Sequence, residues 1–159
     1  MTRVYLDTSY LFGLMRQKDP SVDRDYAAWR QRVEAEIDAD PALTSDLVVD
    51  ELTYRLVLSW LRDSGDGDPL TTYRKSTATV MKRMRSKLVA LWRALDELDL
   101  DWASSRPSSH HLAQSLMGDP GLSPRDAFHA AYAIDGGCKW IVTSDAAFDR
   151  VPRLGRLGP

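Results

Sequence analysis

The chain has 159 residues, 28% of them charged, and a formal net charge of −2; this suits one domain with a self-sufficient core and excludes a protein that holds nucleic acid by bulk positive charge. Its single cysteine, Cys138, excludes an internal disulfide and a paired-cysteine zinc site, leaving a small packing residue. No run approaches the roughly 18 apolar residues of a membrane helix, and Asp7 interrupts what would have to be the apolar stretch of a leader, so a cytoplasmic protein without membrane association is expected.

Residues 3–6 (RVYL) read as a short strand that stops at Asp7, after which Thr8 or Ser9 can cap an apolar helix running through Leu14. The charged amphipathic segment 22–39 is a predicted helix, 41–44 the next short strand, and Ser45 or Asp46 opens a helix to about Arg62. Residues 63–69 (DSGDGDP) form a solvated, turn-rich loop whose acids lack the spacing of a calcium-binding EF-hand. From 71 to 95, Val80, Met84, Leu88, Leu91 and Leu95 recur at helical spacing, which predicts one long amphipathic helix with Ser76 as the place for a break. Leu98, Leu100 and Trp102 alternate with Asp99 and Asp101, the pattern of a strand near a sheet edge. A helix over 106–117 follows, then another opened by Ser123-Pro-Arg-Asp126 and closed by Gly136-Gly137. Trp140 to Thr143 is a strand ending at Ser144-Asp145, with a short helical turn over 146–150. Strands alternating with helices predict an α/β fold, its mainly parallel sheet covered on both faces.

Four acids stand out in this layout. Asp7 and Asp145 each follow an apolar strand within a hydroxyl-rich cluster, Asp7-Thr-Ser9 and Thr143-Ser-Asp145. In open parallel sheets the ligand crevice lies beyond the carboxyl ends of the strands, although a helix cap or turn acid explains most Asp residues so placed. Glu51 falls on a helical stripe with Leu47, Tyr54, Leu58 and Leu61, beside a second stripe of Val48, Leu52 and Leu56. A carboxylate on an inward face is costly unless a cation or hydrogen bonds meet it, and a core-edge pair with arginine would also satisfy it. Asp50 points about 100° away and is read as solvated. Asp126 fits a helix-capping pattern, yet shares a face with His129, Ala130 and Ala133, small enough for close packing on the sheet. His129 reads as a packed histidine, and His110-His111 lacks the spacing of a helical zinc pair.

These segments, VYLDTSYLFGL, TSDLVVDELTYRL, LSPRDAFHAAYAIDGG and KWIVTSDAAFDRV, resemble in order and spacing the PIN-domain nuclease family, and in particular the small VapC-type toxins of prokaryotic toxin–antitoxin pairs. The resemblance implies a three-layer PIN-like α/β fold with a mainly parallel sheet of four or five strands. It further implies one nuclease domain over 1–159, with a longer helical insertion around 63–96, and the acids Asp7, Glu51, Asp126 and Asp145 gathered at the carboxyl edge of the sheet to hold Mg2+ or Mn2+. Thr8, Ser9 and Ser144 would support the acids, and Asp149 would be an additional one. The implied activity is endonucleolytic hydrolysis of RNA, the implied partners a cognate antitoxin and a second copy of the chain.

Clustered carboxylates stay ionised together only with cations among them, and oxygen-only donors suit magnesium, which keeps several of its waters. Such a site hydrolyses a phosphodiester with one ion or with two about 4 Å apart. Arg125, beside the proposed site, and Lys82 and Arg85 in the basic 75–93 stretch are the first choices for RNA backbone contacts, against a solvated helix face as the plainer account of that stretch. The apolar stripes near Leu11, Phe12 and Leu14 and around Trp60 and Trp92 are mainly core, with any exposed part available to a dimer or an antitoxin. Two other readings share the features: an α/β phosphatase with a nucleophilic Asp after the first strand, weakened by Ser9 where a second acid is needed, and a non-catalytic RNA-binding or regulatory module of the same fold.

Overall fold

The computed structural model describes residues 3–16, 24–37 and 41–159. Five strands, β1 (Val4–Leu6), β2 (Ala42–Thr44), β3 (Leu100–Trp102), β4 (Trp140–Val142) and β5 (Gly155–Leu157), form one sheet in the order β3-β2-β1-β4-β5, every pairing parallel. Helices α1 (Thr8–Met15) and α2 (Arg24–Glu36) join β1 to β2, α3 (Asp46–Asp63), α4 (Pro69–Arg83) and α5 (Arg85–Asp96) join β2 to β3, and α6 (Pro107–Gly118) and α7 (Pro124–Asp135) carry the chain back to β4. Right-handed crossovers then put α1 to α5 on one face and α6 and α7 on the other, because the chain reverses direction across the sheet after β3. The three-layer α/β expectation stands. The predicted helix over 22–39 is present as α2; its outermost residues lie outside the described part of the chain. Among the described residues no helix is long and apolar enough to cross a membrane.

The central strands are short and apolar on both faces, as a two-sided parallel sheet requires: Val4, Tyr5, Leu6, Ala42, Leu43, Ile141 and Val142 are all buried. β3 is the edge that its alternating acids predicted, with Asp101 and Trp102 exposed and Asp101 ion-paired to Arg3. Nothing in the residues 155–157 (GRL) had marked β5, the opposite edge, as a strand of its own. Its spacing to β4 is set by a glycine: a Cβ on Gly155 would meet the Trp140 ring at 2.1 Å, where Trp140 and Gly155 sit in register. Gly155→Ala is expected to destabilise the protein by about 1–3 kcal/mol, the cost of overpacking against the Trp140 ring; urea unfolding with an unchanged midpoint would refute this.

Three expectations need correction. Asp7, not Thr8 or Ser9, is the N-cap of α1, with extended backbone angles (φ −87°, ψ 164°) and a side chain accepting from Ser9 N. The long helix over 71–95 is two helices. The expected break at Ser76 is present as a kink with non-helical angles (φ −140°, ψ 36°), and a second interruption at Met84 (φ −89°, ψ 2°) separates α4 from α5. The stripe serves two clusters, which explains the break: Val80 and Met84 are buried with Val57 and Leu61 of α3, whereas Leu91 and Leu95 belong to the main core. On α3 the buried face is Val48, Val49, Leu52, Leu56, Val57 and Leu61, and Tyr54 is exposed, so Glu51 stands on the border of the core and not in its middle.

Cys138 packs in the core at 5% exposure, and burial pushes its thiol up to about 12. The native protein is therefore expected to react with a disulfide reagent at pH 8 far more slowly than the urea-unfolded chain, since only the thiolate attacks. Equal rates would mean that the thiol is open to solvent.

Candidate active site at the carboxyl edge of the sheet

β1 lies between β2 and β4, and the chain winds to one side of it and then to the other, so the crevice at the strand ends opens between β1 and β4. Leu6 pairs with Val142, and Asp7 N donates to Val142 O at 3.2 Å, which sets Asp7 beside Thr143 where both strands stop. Asp7 is 9% exposed, a low value for a carboxylate. Its Oδ2 accepts from Thr143 Oγ1 at 2.8 Å and Ser9 Oγ at 3.1 Å. Among the described residues Oδ1 accepts no hydrogen bond.

The same hydroxyls tie in the last acid. Thr143 Oγ1 accepts from Asp145 N at 3.1 Å, and Ser9 Oγ accepts from Ser144 N at 3.0 Å. Asp145 is exposed, and its Oδ1 caps the following 3-10 turn (Ala146–Arg150) by accepting from Ala147 N at 2.8 Å. From the other side, Thr8, 1% exposed, donates to Glu51 Oε2 at 3.2 Å. Hydrogen bonds through Ser9 and Thr143 thus connect the Asp7 carboxylate with the backbone of Ser144 and Asp145, and Thr8, next to Asp7 in the chain, holds Glu51. Asp126 is joined differently: half-buried in the first turn of α7, its Oδ2 accepts from the N-cap Ser123 Oγ at 2.5 Å, and the neighbouring Arg125 reaches Glu51 Oε1 at 3.7 Å. Asp149 is exposed and already engaged by two hydrogen bonds from Arg156, at 2.7 and 3.1 Å, which lower its carboxyl. Lys82 and Arg85 are exposed on either side of the α4–α5 break.

A buried chain of polar groups under Glu51 escaped the sequence analysis. Ser45 Oγ, the N-cap of α3, lies 2.7 Å from Tyr5 OH, which lies 2.9 Å from His129 Nδ1. His129 is 2% exposed, and its Nε2 faces Glu51 Oε2 at 3.7 Å, too long for a good hydrogen bond and without any other partner among the described residues. His129 holds the Glu51 carboxyl below its usual range, with Arg125 and Thr8 assisting, against the opposing effect of burial. Tyr5 and His129 carried no signal as site residues: an aromatic within an apolar strand and a histidine on a packed helix face are ordinary core patterns.

The donor set is oxygen-only and chemically suited to a hard divalent cation, since such an ion needs only one or two direct carboxylates beside its waters. Asp7, with one oxygen anchored and the other free of hydrogen bonds, has the form of such a ligand. No group of three or more His, Cys, Asp or Glu among the described residues is arranged to enclose an ion.

A family model for the PIN domain matches residues 4–154, and the chain belongs to the PIN-domain family. No curated protein sequence matches the chain. Among solved structures it resembles VapBC2 from Rickettsia felis bound to a DNA fragment from their promoter, with 17% identity and a TM-score of 0.57 over 98% of this chain and 97% of that one. It also resembles Mycobacterium tuberculosis VapC20, a Sarcin-Ricin loop cleaving toxin, with 15% identity and a TM-score of 0.55 over 92% of each chain. VapBC-1 from nontypeable Haemophilus influenzae matches with 14% identity and a TM-score of 0.50 over 98% and 96%. At these identities the likeness is one of fold.

Proposed function

We propose that the chain is a divalent-metal-dependent endoribonuclease, the toxin of a prokaryotic toxin–antitoxin pair, acting in the cytoplasm as one PIN unit to which 63–96 adds a helical extension. The observation that carries this reading is the set of hydroxyls at the carboxyl edge of the sheet: Ser9 and Thr143 fix one oxygen of the nearly buried Asp7, Thr143 also holds the backbone of Asp145, and Thr8 holds Glu51. Such an arrangement has no evident use in packing, because each carboxylate brought there costs desolvation and mutual repulsion. Family membership and the similarity to toxin structures support the same reading.

Asp7, Glu51, Asp126 and Asp145 are the residues that would hold Mg2+ or Mn2+. The bound ion would supply positive charge at the scissile phosphate and an activated water. The chain's own contribution is positioning: Ser9 and Thr143 orient Asp7, Thr8 and His129 orient Glu51, and Arg125 offers a guanidinium for a phosphate oxygen. Ser144 supports Ser9 through its backbone N–H. Lys82 and Arg85 would guide the RNA further along. An antitoxin, or a second copy of the chain, would cover apolar surface such as the groove of Met15, Leu56, Trp60 and Leu91 beside the exposed Val89 and Trp92.

The deciding experiment is incubation of a mixed RNA pool with the purified, antitoxin-free protein in Mn2+ or Mg2+, with and without EDTA. Metal-dependent cutting is expected. One observation favours a second reading, an RNA-binding PIN module without cleavage: among the described residues no three acids stand close enough together to hold an ion. Metal-independent RNA binding with no cutting of any RNA class would establish it.

A further inference from the structure

The acid cluster does not account for the groove beside it. A cavity of about 400 Å³ is lined by Glu51, Asp50, Tyr54 and Val57 of α3, Tyr73 and Met81 of α4, and Arg125 of α7, within the size range of small-ligand sites. Tyr73 and Tyr54 meet edge to face, their centroids 5.4 Å apart and their planes at 77°. Packing explains Tyr73, which is partly buried against Val57, Leu61, Val80 and Met84. It accounts less for Tyr54, which is 37% exposed, belongs to neither apolar cluster and lines the groove wall.

Resting on the nuclease reading, we propose that this groove is a subsite for the base of a nucleotide flanking the cleaved bond, which stacks on Tyr54, and that Asp50 selects a base carrying an exocyclic amino group. Tyr54 stands three residues from Glu51, about 4.5 Å along the helix axis, so a strand whose phosphate lies at the acids brings its next base to the tyrosine. Stacking on an aromatic ring accepts any base. Asp50 is exposed on the groove wall and can only accept hydrogen bonds when ionised, so it rewards the amino group of cytosine, adenine or guanine. Uracil has no exocyclic amino group and offers the acid a single N3–H flanked by two carbonyl oxygens that repel it. Arg125, 3.7 Å from Glu51, supplies the phosphate contact between base and acids. A protein side chain suits this groove less well, since two acids and an arginine line it, whereas the groove around Met15, Leu56, Trp60 and Leu91 is chiefly apolar.

The test uses full-length protein and short fluorescent oligoribonucleotides that differ at one position. Binding is read by anisotropy in the Asp7→Asn background and cleavage in the active background, with thermal melting to check the fold. Tyr54→Ala should weaken RNA binding by about five- to a hundredfold, Tyr54→Phe should retain it, and Asp50→Asn should bind and cut uracil-containing sites as readily as the others. If the parent protein cuts RNA and Tyr54→Ala binds and cuts like it, the subsite is refuted while the nuclease reading survives. If Tyr54→Ala impairs only antitoxin binding, the groove holds protein and the subsite is likewise refuted. If the parent neither binds nor cuts any RNA, the nuclease reading fails and takes the subsite with it.

Discussion

Replacing Asp7 with asparagine should reduce RNA cleavage by more than about a hundredfold, a loss that even the outer partners of a metal ligand can cause, and should do so without weakening the fold. Asparagine keeps a side-chain oxygen to accept from Thr143 and Ser9, so the hydrogen bonds that organise the strand ends persist and only the charge is removed. That charge is 9% exposed and has no ion pair among the described residues, so its removal relieves desolvation and the melting temperature should hold or rise. Calorimetric titration with Mn2+ should show weaker binding in step with the loss of activity. A folded Asp7→Asn protein that cuts at the parent rate would end the assignment of this acid.

Thr143→Val should be the most damaging change at the site that leaves all four carboxylates in place. Valine has nearly the same shape but cannot donate to Asp7 Oδ2 or accept from Asp145 N, and position 143 is fully buried, so water cannot replace the hydroxyl. Activity and Mn2+ affinity should fall about 10- to 100-fold. Stability should fall by about 1–3 kcal/mol for the unsatisfied buried groups, read as a lower urea midpoint. Thr143→Ser should restore most of both. A stability loss with normal metal affinity and rate would reduce Thr143 to a packing residue.

The sequence was most legible where one physical signal dominated. Apolar strands too short to be helices and helix starts marked by Ser45 or by Ser123-Pro124 lie where expected, and the alternating acids of 99–101 marked an edge. It was least legible where tertiary contact overrides local pattern. Met84 fits a continuous stripe, and only the division of that stripe between two clusters shows why the helix breaks there. β5 has one apolar side chain in three residues and exists because β4 offers it an edge beneath Trp140. At the site, the positions of Asp7 and Asp145 after their strands could be read directly, because a strand end is a local event. The Ser45–Tyr5–His129 chain could not, because it joins residues up to 124 apart whose types are unremarkable in themselves.

The placement of β4 beside β1 also governs when the protein becomes complete. Asp7 is synthesised 136 positions before Thr143, whose hydroxyl anchors it from a strand that can dock only after all the intervening helices have been made. A nascent chain thus carries its acids in an unassembled state until β4 has been made. Late closure of the sheet keeps the acids of the growing chain apart, and a truncation anywhere before β4 yields a fragment with no organised site.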